Sequence, residues 1–507
     1  MSAGGMIGSG WLFSPYISAQ MAGPNALIAW IVAAVFMMFI ALPLCELGAM
    51  IPVSGGLSNY PSYTHGKAVG FLFAWTSWLS YVVMTPIEVQ AILQYSSHFF
   101  PDLVSNQSLT LSLSPIGYVA AFFIMLAVVI LNTFGIKKLS EYNTFASIIK
   151  FILPSIAIAS LFYMGTSKFS LDIHLSNLND WKEIFMALSA GCVAFAFTGF
   201  QNGLVLAGEV ENPQRNIPLS ILGAIVIGFV LYFLLQWSFL SAVPHHYVAA
   251  GWKDLHYPGD DGPLVGLVLL LGLGTVATLL LIDAAFSPFG TTLVYTAATS
   301  RILYGMALNQ HLPKIFLKEN RYAIPYYTLI VNFIVGILSF LPFPGWQKLV
   351  AFLSSASILS YAIGPICLLA FRKQEPEFVR PFKLKYPRMI SHIAFYVCNL
   401  MLYWCGFDIL LKLNVALLVG LFIVVKYQNK SIFIIDKSLI WFLSYMWLLL
   451  IFSYCGTFGG QKWIRFPDDL ILLFPFSVIF LKASNRFALN PIKCSNTDLD
   501  ALETINH

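Results

Sequence analysis

Stretches of about 20 predominantly apolar residues recur along the whole chain, from Ser2 to Lys482. That is the length a helix needs to cross the ~30 Å hydrocarbon core of a bilayer at about 1.5 Å per residue. Inside lipid each backbone N–H and C=O must be bonded within its own segment, so such runs form helices. Composition points the same way. Of the 507 residues 58% are hydrophobic and only 10% charged, against roughly 25% charged in an ordinary soluble domain. That is too little charge to coat a water-facing surface, which excludes a soluble enzyme, a disordered scaffold and a nucleic-acid binder. The expected fold class is an all-α polytopic membrane protein, with the lipid bilayer as its solvent.

Pro, Gly and charged residues divide the apolar sequence into fourteen expected spans: 2–21, 24–50, 67–97, 114–134, 144–165, 183–208, 216–243, 263–297, 326–343, 346–371, 391–409, 413–427, 438–455 and 468–482. The first is short and starts abruptly, and it reads as a helix truncated of its opening turns. With the N-terminus in the cytoplasm, the inner loops and tail carry twenty Lys and Arg and the outer loops seven. The remaining one of the 28, Lys150, lies inside a span. This asymmetry is the positive-inside signature and predicts that both termini are cytoplasmic. The net charge of +5 therefore reports topology rather than a polyanionic partner.

Six of the seven cysteines (Cys45, Cys192, Cys367, Cys398, Cys405, Cys455) sit in apolar runs, Cys494 lies in the tail, and no CxxC occurs. They read as small buried apolar residues. The nine histidines form no HExxH or other ligand pattern, so no metal and no cofactor is expected. The pair His245-His246 follows Pro244 in a polar loop and is a weak metal candidate at best.

Two spans are interrupted. The first carries Gly4-Gly5-Met6-Ile7-Gly8-Ser9-Gly10 and the sixth Thr198-Gly199-Phe200-Gln201-Asn202-Gly203. Glycine disfavours the helix by about 1 kcal/mol relative to alanine. Backbone groups freed at membrane depth are tolerated only where they line a cavity or meet a ligand. Close helix packing of the GxxxG kind is the other explanation. The two segments hold the same place in successive five-helix units, which is the pattern of a transporter built on inverted repeats. A half-helix N-terminus suits a carboxylate, and unwound carbonyls suit an ammonium. A site with both faces suits an α-amino acid.

On these residues the chain resembles the amino acid–polyamine–organocation (APC) permeases. The likeness rests on Gly8-Ser9-Gly10, on Glu46 followed by Pro52-x-Ser54-Gly55-Gly56, and on Gly199 with the run Gly208-Glu209-x-Glu211-Asn212-Pro213-Gln214-Arg215-Asn216-Ile217-Pro218. It extends to Ser300-Arg301-Ile302-Leu303-Tyr304-x-Met306-Ala307 and Leu312-Pro313. The stretch Asn59-Tyr60-Pro61-x-Tyr63-x-His65-Gly66, with Pro86-Ile87-Glu88-Val89 and Gln94-Tyr95, is similar to bacterial aspartate–proton symporters of that superfamily. The resemblance implies a LeuT-like 5+5 inverted repeat with broken helices 1 and 6. Residues 1–165 would form the first repeat and 183–371 the second, inverted one. Residues 391–482 would be accessory helices and 483–507 a cytoplasmic tail. It further implies a small-molecule amino acid substrate, carried with protons across a bacterial inner (plasma) membrane. The substrate carboxylate would meet the N–H groups around Gly8, Ser9 and Gly10. Its ammonium would meet carbonyls near Met6, Phe195 and Thr198, beside Gly199, with Phe195 capping the substrate. Gln201 stands where some exchangers of the family carry a proton-sensing glutamate.

Three ionisable residues lie within spans. Lys150 is seven residues into its span, where an unpaired ammonium costs about 2.5–3.5 kcal/mol. It either snorkels to the interface or loses its proton during the cycle, as in proton-coupled relatives where a lysine stands in for a sodium ion. Glu88 and Asp283 are mid-span carboxylates that can carry a proton, pair with Lys150 or hydrogen-bond between helices. Glu46, nearer the inner mouth, suggests gating or helix packing. Ser354, Ser355 and Ser357 form a stripe that either packs helices or reaches a substrate side chain. An acidic substrate needs a cationic or amide-rich subsite, for which Lys150, Gln201 and Asn202 are at hand. Trp181, Trp252, Trp346 and Trp463 fall at outer span ends as an interfacial belt, and loop 244–262 reads as solvated.

The sequence has no ring of like residues for a channel, no catalytic set for an intramembrane enzyme and no GxxxxGK[ST] for ATP-driven transport. A proton-coupled amino acid permease is the expected function, with amino acid exchange its main rival.

Overall fold

The fold is seen in a computed structural model that describes residues 2–53, 56–105, 112–134, 137–165, 173, 175–205, 207–343, 345–427 and 437–489. Ser54 and Gly55 of the Pro52–Gly56 motif, Lys168, Cys494 and the tail from 490 onward lie outside the described residues, as do the side chains of Lys137, Lys138 and Glu209.

The chain is a bundle of helices with a single two-residue antiparallel ribbon among the described residues, pairing Val104 with Leu113 and Ser105 with Ser112. In order the helices are α1 Ser2–Met6, α2 Gly10–Ala22, α3 Ala26–Met50, α4 Gly56–His65, α5 Lys67–Val82, α6 Met84–Ser96, α7 Pro115–Asn132, α8 Lys137–Met164, α9 Leu178–Ser189, α10 Val193–Ala196 and α11 Asn202–Val205. They continue with α12 Pro213–Ala242, α13 Pro263–Leu270, α14 Gly274–Leu308, α15 Tyr326–Ser339, α16 Trp346–Tyr361, α17 Ile363–Gln374, α18 Pro387–Trp404, α19 Phe407–Tyr427, α20 Lys437–Cys455 and α21 Asp468–Phe487. Every one of the fourteen expected spans coincides with helix. Among the described residues nine stretches are long and apolar enough to cross a membrane on length and composition alone. The remaining spans are interrupted, short, merged with a neighbour, as Gly10–Met50 joins α2 to α3, or less apolar, as α18 is.

Local chemistry sets the boundaries. Ser114 caps α7 by accepting the Gly117 N–H at 3.0 Å, with Pro115 as the first helical residue. Asp180 reaches back to accept the Asn177 N–H at 3.0 Å and closes the start of α9. Several boundaries differ from expectation. The span read as 263–297 is two helices, α13 and α14, separated at Leu271–Leu273, where Gly272 turns the chain with φ +76°. The 35 residues of α14 run about 52 Å, well past the hydrocarbon core. Cys405 and Gly406 end the eleventh span early, so α19 starts at Phe407. The last helix continues to Phe487, five residues into the segment read as tail.

Loop 244–262 is solvated over His245, His246, Lys253, Asp254, His256 and Pro258, all exposed, but not throughout. Leu255 and Tyr257 are buried, and the loop closes over α2 because Tyr16 Oη and Gln20 Nε2 donate to Leu255 O at 2.8 and 2.9 Å. Tyr16 Oη also lies 2.8 Å from Asp260. The apolar residues inside a polar-looking loop, together with these donors, hold it down.

Helices α3 and α12 pack along each other, as do α6 with α14, α8 with α14, and α5 with α16. At the lysine- and arginine-rich end, fully buried Glu46 of α3 receives two hydrogen bonds from Arg372, Nε and Nη2 each at 2.8 Å. It also accepts the Leu384 N–H at 2.8 Å, and Arg380 lies 3.6 Å away. Glu46 therefore ties α3 to the α17–α18 connection, the packing role among its two expected ones. Removing one partner of a buried pair is more damaging than replacing both. Arg372→Ala is expected to cost about 3 kcal/mol, read as a lower thermal unfolding midpoint in detergent, with Glu46→Leu/Arg372→Leu closer to the parent. Equal losses from the two variants would overturn this account.

Candidate functional site

The two interruptions adjoin at the centre of the bundle. Helix stops at Met6 and restarts at Gly10, leaving Ile7, Gly8 and Ser9 unwound. The second break runs from Phe197 to Gln201 between α10 and α11. Gly199 lies in the second break at φ +123°. A Cβ there would stand 2.6 Å from both the carbonyl carbon and oxygen of Gly5, so only glycine lets the two backbones meet. Short turns hold this strand of chain: Thr198 N donates to Phe195 O at 2.8 Å, and Gly199 N to Gln201 Oε1 at 2.8 Å. Gln201 thus serves the turn itself.

Ser9 opens α2. Its N–H faces both carboxylate oxygens of Glu88, at 3.1 and 2.9 Å, which is where a half-helix N-terminus favours negative charge. Gly8 makes room for this, since a Cβ would come 2.5 Å from Glu88 Oε1. Glu88 is wholly buried. Ser9 Oγ accepts the Trp346 indole N–H at 3.1 Å. Gly10 lies under Phe195, whose ring would be 3.1 Å from a Cβ at that position. Met6 O accepts Tyr232 Oη at 2.8 Å and the Gly8 N–H at 3.2 Å.

Lys150 does not snorkel. It is buried, donating from Nζ to Thr291 Oγ1 of α14 at 2.7 Å and to Gly4 O of α1 at 3.4 Å. It bridges the first broken helix to α14. Glu88 and Asp283 are close enough to act on it electrostatically, though neither forms a direct ion pair with it among the described residues. Asp283 is buried, and neither of its oxygens finds a partner among the described residues. It stands two turns from Thr291 on the same side of α14.

Towards the end carrying loop 244–262 the site is covered by aromatics. Phe13 packs on Trp346 at 4.4 Å between ring centres, and Phe195 meets Trp346 edge-on at 5.7 Å. Tyr95 lies edge-on to Phe13 and donates to Leu12 O at 3.0 Å. Trp346 is therefore part of the site and not of an interfacial belt; it is buried, while Trp463 is exposed. At the basic end a cavity of about 340 Å3 reaches Val205 at the end of α11, lined also by Asn59, Asn132, Arg301 and Glu319.

Sequence reasoning missed three tyrosines. Tyr81 donates to Asn202 Oδ1 at 2.9 Å and packs on Tyr295 at 5.2 Å, and Tyr361 packs on Phe200 at 5.0 Å. The available signal was spacing: Tyr361 follows Ser354 and Ser357 by seven and four residues, on one helix face.

The amino acid permease family model matches residues 1–452. The chain is 33% identical over 499 residues to the glutamate/serine transporter AimA of Bacillus subtilis (strain 168), covering 94% of this chain and 90% of that protein. It is 34% identical over 483 residues to the aspartate-proton symporter of the same organism, covering 93% and 91%. The branched-chain amino acid permease BcaP, also of that organism, is 23% identical over 453 residues, covering 85% and 91%. With paired broken helices at its centre and likeness along nearly its full length, the chain belongs to the amino acid permease family of multi-pass membrane proteins.

Proposed function

We propose that this permease carries an amino acid together with a proton across a bacterial plasma membrane, by alternating access about the breaks at Ile7–Ser9 and Phe197–Gln201. The observation that carries the reading is the contact of Glu88 with the Ser9 N–H. A substrate carboxylate seeking the N-terminus of α2 meets a protein carboxylate already there. Two anions do not share one donor in a buried site, where like charges strongly disfavour joint ionisation. A proton on Glu88 frees the donor, so proton and substrate arrive together. Lys150, joined to Gly4 and Thr291, is then the cation whose charge state senses that exchange. Met6, Phe195, Thr198 and Gly199 border the zwitterion's path, with Phe195 as cap. Asp283 is the third proton-coupling candidate.

In this reading residues 1–165 and 183–371 are the two five-helix repeats that rock against each other, 391–482 are accessory and 483–507 is the tail. The excess of Lys and Arg supports a cytoplasmic basic end and, with it, cytoplasmic termini. Aromatic closure on one side and the cavity by Val205 on the other fit a state open to the inside. Two relatives described above, a glutamate/serine transporter and an aspartate-proton symporter, favour a small polar or acidic amino acid.

Proteoliposomes with an alkaline interior and no internal amino acid test the reading. Accumulation of radiolabelled aspartate, glutamate or serine, abolished by a protonophore, is expected. Uptake only when amino acid is preloaded inside would instead identify exchange and end the symport reading.

A further inference from the structure

The polar chemistry that the substrate path and the coupling residues leave unused gathers at the basic end, where α20 and α21 meet α4. Thr64, in the last turn of α4, receives two donors from distant parts of the chain. The Leu489 N–H, just past the end of α21, reaches Thr64 O at 2.8 Å. Gln374 Nε2, at the end of α17, reaches the same oxygen at 3.1 Å and Leu489 O at 2.8 Å. Beside Thr64, His65 is wholly buried. Its Nδ1 lies 2.8 Å from Thr64 Oγ1 and its Nε2 3.0 Å from Ser484 Oγ of α21. Its ring stacks on Trp441 of α20, 6.0 Å between centres. Burial pushes the imidazole down to about 4, so it stays neutral, with one donor and one acceptor for its two hydroxyl partners.

The other end of α4 faces the transport path. Ser58 and Asn59 line the cavity of about 340 Å3 that reaches Val205. Asn59 Oδ1 accepts Asn309 Nδ2, just past α14, at 3.1 Å. Helix α4 packs on α11, where helix resumes after the second break, and also on α5 and α17. Asn59 and Thr64 stand about 7.5 Å apart along the axis, roughly one and a half turns, so a shift at the clamped end is felt at the cavity wall. We propose that Gln374, His65 and Ser484 are positioning residues for transport: through α4 they hold the inner mouth in its open form, which makes α20 and α21 a control arm of the cycle. The inference rests on the alternating-access reading and deepens it.

Two features favour control over simple attachment of the last helices. The arm is already tied to the bundle away from α4, where Asn399 Nδ2 donates to Ser477 Oγ at 2.9 Å and Tyr396 Oη to Leu470 O at 3.0 Å. The contacts at Thr64 and His65 come on top of these, and they converge on the element that walls the cavity. Contacts that loosen as the mouth closes weight the open form by their differential strength. One neutral hydrogen bond corresponds to about 2- to 12-fold in such an equilibrium. Its loss raises the fraction of molecules facing outwards, and apparent affinity from that side rises with that fraction.

The test places a reporter on the cavity wall, Ala297→Cys, in the full chain. Its alkylation rate is followed in purified protein, over the background of the chain's own cysteines. KM for radiolabelled serine, aspartate or glutamate is measured by uptake into intact cells. Gln374→Met and Ser484→Ala break the clamp from opposite sides, and either one decides if the other fails to fold. Each should slow alkylation about 2- to 10-fold and lower KM by up to the same factor, a pairing that damage to the fold does not produce. Ser477→Ala, on the same helix but bonded to α18, should change neither. Unchanged or faster alkylation, a KM that does not fall, or the same shifts in Ser477→Ala would overturn the control arm and leave the permease reading standing. A parent that takes up no amino acid at all defeats that reading instead.

Discussion

Replacing Lys150 by alanine abolishes accumulation driven by a pH gradient while leaving amino acid binding in place. The expected size follows from the driving force. One pH unit stores about 1.4 kcal/mol, so symport of one proton per substrate accumulates amino acid about tenfold per unit. In Lys150→Ala that ratio falls to about one, because the only buried ammonium joining α1 to α14 among the described residues is gone. Thr291 keeps its bond to Ser287 O at 3.1 Å, so the loss is not one of packing at α14. Lys150→Arg separates bridging from titration. A guanidinium retains the charge and donors but does not release a proton in proteins. It should preserve folding and binding and still fail to accumulate substrate. A gradient-driven ratio near tenfold in both variants would remove Lys150 from the coupling step.

Much of this was legible in the sequence, for a physical reason particular to membranes. Apolar runs must become helices in lipid, so α3, α7 and α12 could be read directly. Gly199 and the Gly4–Gly10 segment stood out because glycine at membrane depth needs a purpose. Lys150 stood out because charge there is costly. The partners were hidden. Nothing within residues 84–96 tells that Glu88 reaches the Ser9 N–H, 79 residues away. Trp346, 337 residues from Ser9, sits at a span end, where an interfacial tryptophan would look the same. Loop 244–262 is polar and partly exposed, and only the fold brings Tyr16 and Gln20 beneath Leu255. The tyrosines at 81, 295 and 361 come from three helices, and their shared locality is a tertiary property. The sequence pattern thus carried the scaffold and the backbone breaks, whereas the side-chain complement of the site required contacts between distant segments.

Gly199→Ala is the second change expected to have a large effect. Two costs add at that position. At φ +123° an L side chain is strained, at about 1–3 kcal/mol for a residue held in so sparsely populated a conformation. The new methyl would also lie 2.6 Å from the Gly5 carbonyl and 2.8 Å from Met6 N. Those are backbone atoms, so no side chain can rotate aside. Relief requires moving α1 away from the second break, and overpacking of that kind costs about 1–3 kcal/mol. Part of the sum falls on stability, and part on the geometry of Ser9 and Glu88, which move with the first break. A loss of even 2–4 kcal/mol in substrate binding is about 30- to 1,000-fold, so transport should fall close to background. Gly223→Ala is the control, because a Cβ there meets nothing within 4 Å. It replaces glycine within the long helix α12, where alanine is favoured by about 0.5–1 kcal/mol. It should transport normally and unfold slightly later on heating. If Gly199→Ala transports like Gly223→Ala, the two breaks do not work as a unit, because a methyl wedged between their backbones would then be without consequence.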